Sequence, residues 1–262
     1  MSEWTVPGAA EALLEAQRTA TARPMLTEEW AELDLSTAYA VQDEALRIRV
    51  ARGERVVGVK LGLTSKAKRE RMGVDRPIVA WLTDAMLLPA GAPLPRAGLI
   101  HPRVEPEIAF VLGRPLAGPG ITAAAALAAV DTVHGGLEVI DSRFTDFRFA
   151  LSDVVADNGS SSLFTLGSVA AAPRGLDLAL EACLLEADGS VVDSATGAAV
   201  HGHPAEALAL AANLLGERGS RLEAGWVVLT GGMTDAVPPP AGGRVAAQFT
   251  SLGTVTLDGG PS

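Results

Sequence analysis

A single cysteine, Cys183, stands among 262 residues. It excludes both a disulfide framework and a thiolate zinc site within the chain. Aromatic residues make up only 4% of the sequence, so a core must be assembled from Ala, Val, Leu and Ile, and the 48% hydrophobic content allows one. Positive charge is scarce: Lys plus Arg number 21 against 31 Asp plus Glu, giving a net charge of −10 and a pI near 4.9. A surface of that sign repels phosphate backbones and anionic headgroups, so neither nucleic acid nor membrane is expected as a partner. The most apolar stretch, Ile121 to Val133, is broken by Asp131 and falls short of the ~20 residues a bilayer requires. No basic segment with an apolar run follows Met1-Ser2-Glu3-Trp4; no signal peptide is expected, and the expected location is cytoplasmic. A G-x-G-x-x-G turn, a P-loop and a G-x-S-x-G elbow are all missing, so nucleotide cofactors and serine-hydrolase chemistry lack support.

What is present divides into two textures. Residues 1–55 read as a helical N-terminal segment: Ala9 to Thr21, a short helix capped by Thr27 with Glu28 and Glu29 in its first turn, and Ser36 to Arg52. Residues 56–262 read as a mixed α+β catalytic domain of short apolar runs punctuated by Gly and Pro. Strands are expected at Val56–Leu63, Glu107–Leu112, Leu137–Ile140, Ser162–Leu166, Leu178–Leu185, Val191–Thr196, Val227–Thr230, Val245–Phe249 and Gly253–Leu257. Helices are expected at Thr122–Val133 and at Pro204–Arg218, the latter with Pro at its first position. Two helices among many strands give no regular βαβ alternation, which argues against a doubly wound sheet.

The chemistry concentrates in a few acids and one lysine. In Pro102-Arg103-Val104-Glu105-Pro106-Glu107, strand alternation puts Glu105 and Glu107 on one face, and the apolar run that follows places them at the lip of a buried region. Two adjacent carboxylates repel, and a hard divalent cation removes the conflict. Glu138 lies in the apolar Gly136-Leu137-Glu138-Val139-Ile140 and also needs a partner. Three carboxylates suit Mg²⁺ or Mn²⁺; the alternative is surface ion pairing of Glu105 and Glu107 with Arg103 and Arg114. Lys60, one of only three lysines with Lys66 and Lys68, sits in the apolar Val56–Leu63 run. It is either a buried acid, base or electrostatic stabiliser or an edge-strand lysine that blocks aggregation. Arg143 can clamp a substrate carboxylate or pair with Asp141 or Asp146. The loop Asp157-Asn158-Gly159-Ser160-Ser161 can present hydroxyls and N–H groups to a carboxylate or be an ordinary turn. Among His101, His134, His201 and His203, the His201-Gly202-His203-Pro204 turn reads as helix initiation rather than a ligand pair.

In order along the chain, Gly58-Val59-Lys60-Leu61-Gly62-Leu63-Thr64-Ser65, Pro102 to Phe110, Leu137 to Arg143, Val155-Ala156-Asp157-Asn158, Gly202-His203-Pro204, Leu229-Thr230-Gly231-Gly232 and Leu252-Gly253-Thr254-Val255 resemble the 2-oxopent-4-enoate hydratase and 4-oxalocrotonate decarboxylase family, within the fumarylacetoacetate hydrolase superfamily. The resemblance spans roughly residues 35 to 257. It implies a mixed β-roll with flanking helices and a helical N-terminal segment. It further implies Glu105, Glu107 and Glu138 as ligands of Mg²⁺ or Mn²⁺, Lys60 as the active-site lysine, and Asp157, Asn158, Ser160 and Ser161 in a substrate-facing loop. A small 2-oxo acid is the implied substrate. Homo-oligomers are the implied assembly, with association with a related hydratase or decarboxylase.

Thr64 to Lys68, Ile140 to Phe144, Asp153 to Ser162 and Gly231-Gly232-Met233-Thr234 resemble the decarboxylase branch more closely. That branch implies decarboxylation of a 2-oxo-hexenedioate, with Lys66, Lys68 and Arg143 as candidates for the distal carboxylate. The alternative is hydration of 2-hydroxypenta-2,4-dienoate, with Lys60 or Asp84 managing protons. A C–C hydrolase would need a water-activating dyad that is not identifiable, and a non-catalytic partner subunit has no need of three converging acids.

Overall fold

The computed structural model describes residues 4–65, 69–70, 74 and 76–261. The helical N-terminal segment comprises α1 (Val6–Arg18), α2 (Leu26–Glu29) and α3 (Leu35–Ala51). Thr5 caps α1 by accepting the Gly8 N–H, and Asp34 caps α3 by accepting that of Thr37. Thr27 does not cap α2, which begins at Leu26; its N–H and hydroxyl instead donate to Asp153 at 3.0 and 2.7 Å. Ala9, Ala10, Leu13, Ala38, Val41 and Ala45 bury the inner faces of α1 and α3. They share one apolar cluster with Ile78, Phe144 and Val154–Ala156, so these helices pack directly on the segments that wall the cavity described below.

The remainder builds two sheets. The larger has the order β2-β1-β8-β3-β4-β5, with β1 (Val56–Gly62), β2 (Ile78–Thr83), β3 (Arg103–Leu112), β4 (Val130–Ile140), β5 (Ser161–Leu166) and β8 (Val227–Leu229). Only the β1–β8 pair is parallel, so the sheet is mixed. The smaller sheet runs β10-β9-β6-β7, from β6 (Ala182–Ala187), β7 (Ser190–Thr196), β9 (Arg244–Phe249) and β10 (Gly253–Asp258). The core contains Ile108, Phe110, Val133 and Leu137 of the larger sheet with Cys183, Leu185, Val245, Ala247 and Leu257 of the smaller. Helix α6 (Pro204–Glu217) closes it with Ala207, Leu208, Ala211, Ala212 and Leu215, small residues that compensate for the scarcity of aromatics. His203 is its N-cap, Nδ1 accepting the Ala205 N–H at 3.0 Å. The architecture is the α+β arrangement with a curled mixed sheet expected of the resemblance.

Two further local expectations need correction. The Ala-rich segment forms only α4 (Ala123–Leu127); from Val130 the chain is strand, because β3 pairs with it continuously from Arg103↔Ile140 to Leu112↔Val130. Ladder pairing and burial outweigh intrinsic helix preference there. The strand expected at Leu178–Leu185 begins at Ala182. Two elements escaped the reading: β2, whose uniformly buried residues show no alternation, and α5 (Leu151–Ala156), too short for periodicity.

Candidate metal centre

On β3 Glu105 and Glu107 share a face as expected, but the apolar residues that follow do not continue that face. Arg103, Glu105 and Glu107 share one face, and Val104, Ile108, Phe110 and Leu112 point the other way into the core. The β3–β4 register then sets Glu105 directly opposite Glu138, with Glu107 opposite Gly136. One oxygen from each of Glu105, Glu107 and Glu138 lies within 4.8 Å of the others. Exposure falls along the strand, from exposed Arg103 to 8% at Glu105 and 0% at Glu107; Glu138 is also at 0%. The expected pairing of Glu105 and Glu107 with Arg103 and Arg114 is not what the structure shows: Arg103 stacks on Phe147, and Arg114 donates to the Ala128 carbonyl.

The three carboxylates fit a hard divalent cation by their own chemistry. Glu107 Oε2 accepts the Gly231 N–H at 2.7 Å, but Oε1 is buried without a hydrogen-bond partner. Burial first, then the charges of Glu138 and Glu105, pushes the Glu107 carboxyl well above its ordinary value, against the pull of Lys60 and the Gly231 N–H. An orphaned acceptor among like charges is what an oxygen-ligated cation relieves. Glycine at 231 is required, since its φ is +103° and a Cβ would stand 2.3 Å from Thr64 Oγ1.

Lys60 projects from β1 on the face opposite core residues Val59 and Leu61. Its Nζ donates to Gly159 O at 2.7 Å and lies 3.2 Å from both Glu138 oxygens, with the side chain 3% exposed. An aggregation-blocking edge role does not fit, because β1 lies between β2 and β8. Gly159 belongs to a turn in which Asn158, Gly159 and Ser160 all take left-handed φ, 51°, 63° and 57°. A Cβ on Gly159 would stand 2.8 Å from Lys60 Cε, so glycine admits the lysine stem.

The loop residues mostly build the site rather than face a substrate. Asn158 pairs with the Trp81 backbone through both amide atoms at 2.9 Å. Ser161 Oγ donates to Glu138 Oε1 at 2.7 Å. Asp157 is buried and accepts from Arg143 Nε, and Arg143 further donates to the carbonyls of Asp157, Asp141 and Ser161. Burial pushes Asp157 up to about 6, opposed by the Arg143 guanidinium. Arg143 is therefore committed to holding this loop. Ser160 donates to Asp157 Oδ2 and lines the cavity. Asp84 lies beyond the end of β2, paired with Arg55 at 2.9 Å, and is not among the cavity's lining residues. Lys66 and Lys68 lie outside the described residues.

Above the carboxylates opens a cavity of about 380 Å³. Lys60 and Glu105 line it, with Glu107 and Glu138 buried beneath. Thr64, Ser160 and Gly232 add polar lining. Ile78, Ile140, Phe147, Phe149 and Val154 form an apolar wall. Phe147 sits between His101, ring centroids 4.5 Å apart, and the Arg103 guanidinium, 4.5 Å from its ring. This wall, and Arg103 as a lining residue, were not among the residues singled out from the sequence. The only available signal for Arg103 was its i−2 spacing to Glu105.

The fumarylacetoacetate (FAA) hydrolase C-terminal family matches residues 49–258. The 4-oxalocrotonate decarboxylase of Pseudomonas sp. (strain CF600) is 44% identical over 233 residues, 89% of this chain and 88% of the relative. The 2-hydroxyhexa-2,4-dienoate hydratase of Comamonas testosteroni is 41% identical over 247 residues, 94% of this chain and 94% of the relative. The solved structure of 4-oxalocrotonate decarboxylase from Pseudomonas putida G7, complexed with magnesium and adipate, superposes with a TM-score of 0.95 at 40% identity over 98% of each chain.

Proposed function

The chain belongs to the fumarylacetoacetate hydrolase family, and on that premise we propose that it decarboxylates a 2-oxo-hexenedioate of the 4-oxalocrotonate type to 2-oxopent-4-enoate and CO₂. The observation that carries this reading is the convergence of Glu105, Glu107 and Glu138 beside buried Lys60, in a chain so like a decarboxylase known with magnesium and a six-carbon diacid. The three glutamates would hold Mg²⁺ or Mn²⁺. Such a cation supplies Lewis acidity toward the 2-oxo group of the substrate.

The chain's own groups account for the rest. The apolar wall keeps water from the conjugated chain and gives the departing carboxylate little solvation on that side. As the bond to the distal carboxylate breaks, CO₂ leaves and the electron pair runs through the conjugated chain toward the 2-oxo oxygen. The ammonium of Lys60, fixed by Gly159 O and Glu138, offsets that developing charge and then delivers a proton to the chain carbon; water restores it. Ser161 and the Asp157–Arg143 pair position these groups from behind.

A second reading, hydration of 2-hydroxypenta-2,4-dienoate or a homologue on the same platform, is favoured by the 41% identity to the Comamonas hydratase. Purified protein with Mg²⁺ separates the two: decarboxylation releases CO₂ from the hexenedioate, whereas hydration consumes the dienoate without gas. Release of CO₂ no faster than the uncatalysed rate would overturn the first reading. The proposal includes a homo-oligomer, supported by the exposed Leu180, Leu184, Val191 and Val192 on and beside the β6–β7 hairpin. It also includes association with a related hydratase, and a cytoplasmic place, where buried Cys183 stays a thiol.

A further inference from the structure

A diacid needs a group at the far end of the cavity from the glutamates; of the cations first considered for that task, Lys66 and Lys68 lie outside the described residues and Arg143 does not supply it. Arg143 is 4% exposed and spent on Asp157 and three carbonyls. Lys60 is committed to Glu138 and Gly159 at the inner end. Among the described residues, the remaining charged ones lining the cavity are Glu105 and Asp235, which repel a carboxylate, and Arg103.

We propose that Arg103 recognises the distal carboxylate of the substrate and so sets the preference for a diacid over a monoacid. The proposal rests on the dicarboxylate reading given above. Arg103 stands on the same face of β3 as Glu105 and Glu107, two and four residues outward. At a strand rise of ~3.4 Å per residue, its Cα lies ~7 Å beyond that of Glu105. A 2-oxo acid whose head sits at the glutamates therefore extends along this strand toward the guanidinium. The guanidinium is steered by the face of Phe147 rather than by an acid. No carboxylate or carbonyl among the described residues accepts from it, so its N–H edges can serve a ligand.

The backbone supports the same reading. Asp146 and Phe147 both adopt left-handed φ, 57° and 56°, an uncommon pair for non-glycine residues. That turn presents one face of the Phe147 ring to Arg103 and lets the side chain line the cavity. Recognition by one exposed cation, with an apolar wall alongside, orients the carboxylate while leaving it few partners to give up when it departs as CO₂. A second, buried cation would instead have held it in place.

The test uses non-reacting saturated acids on the Mg²⁺-loaded protein, measured by calorimetric titration: 2-oxohexanedioate, 2-oxohexanoate and oxalate. Wild type is expected to bind the diacid on the order of tenfold to a hundredfold more tightly than the monoacid, the range for a charge-assisted hydrogen bond. Arg103→Gln is expected to lose most of that preference while keeping wild-type affinity for 2-oxohexanoate and oxalate; Arg103→Lys should retain part of it. A wild type without preference for the diacid would overturn the dicarboxylate reading itself. A preference that survives in Arg103→Gln would leave that reading standing and overturn the role of Arg103. Loss of oxalate binding in the variant would likewise overturn it, since the residue would then be supporting the whole site.

Discussion

Replacing Glu107 by Gln should make the metal-free protein more stable and the metal-loaded protein less so. In the metal-free state Glu107 Oε1 has no partner, and the oxygens of Glu105 and Glu138 lie within 4.8 Å. Two unit charges at that separation repel by roughly 3 kcal/mol at an effective dielectric constant of about 20. Lys60 offsets part of this, and proton uptake by Glu107, whose carboxyl is raised well above its ordinary value, removes more. The glutamine keeps an acceptor for the Gly231 N–H and turns its amide donor toward the two remaining carboxylates. The net relief is about 1–3 kcal/mol. At ~2–4 °C per kcal/mol for a domain of this size, Glu107→Gln should melt ~2–12 °C above wild type in EDTA. Millimolar Mg²⁺ should then raise wild type by mass action and leave the variant almost unmoved. Scanning calorimetry in the two buffers reads both effects. A variant that melts below wild type in EDTA, yet keeps the full Mg²⁺ shift, would refute the reasoning.

The neighbouring residues give separable outcomes. Lys60→Ala should lower turnover by ~10²–10⁴-fold with the Mg²⁺-induced thermal shift retained; near-wild-type turnover would remove the lysine from the chemistry. Ser161→Ala deletes the hydroxyl that orients Glu138 and should weaken Mg²⁺ binding ~10–100-fold by titration calorimetry, unchanged affinity being the contrary result. Asp157 is held at about 6, above its unfolded value, so its contribution to stability is full below the unfolded carboxyl range and is lost as pH rises through about 6. In urea titrations, the stability of wild type relative to Asp157→Asn should therefore fall by roughly 2–3 kcal/mol between pH ~4 and pH ~7; a difference that grows with pH would reverse the assigned sign.

Glu105 and Glu107 were legible because strand alternation alone puts them on one face, and Glu138 because an acid in an apolar strand requires a partner. Their convergence was not, since it depends on the register that sets Glu105 opposite Glu138, and register is a property of the folded pair of strands. The strand at Val130 to Val133 was hidden under an Ala-rich run that prefers helix locally and yields to pairing with β3. Arg143 read equally well as substrate clamp or ion pair; only the buried contact with Asp157, 14 residues away, decides between them. Asp84 was singled out for its charge near the active-site strands, whereas the turn after β2 carries it to Arg55. The cavity wall drew no notice because Phe147, Phe149 and Val154 sit in a loop and a short helix without periodic pattern.

Crystals soaked with Mn²⁺ and oxalate and measured at the manganese absorption edge test the central claim most directly. The account predicts one anomalous peak among the carboxylates of Glu105, Glu107 and Glu138, with oxalate lying between that peak and Lys60. A peak elsewhere, or none while the three side chains keep their positions, would contradict it.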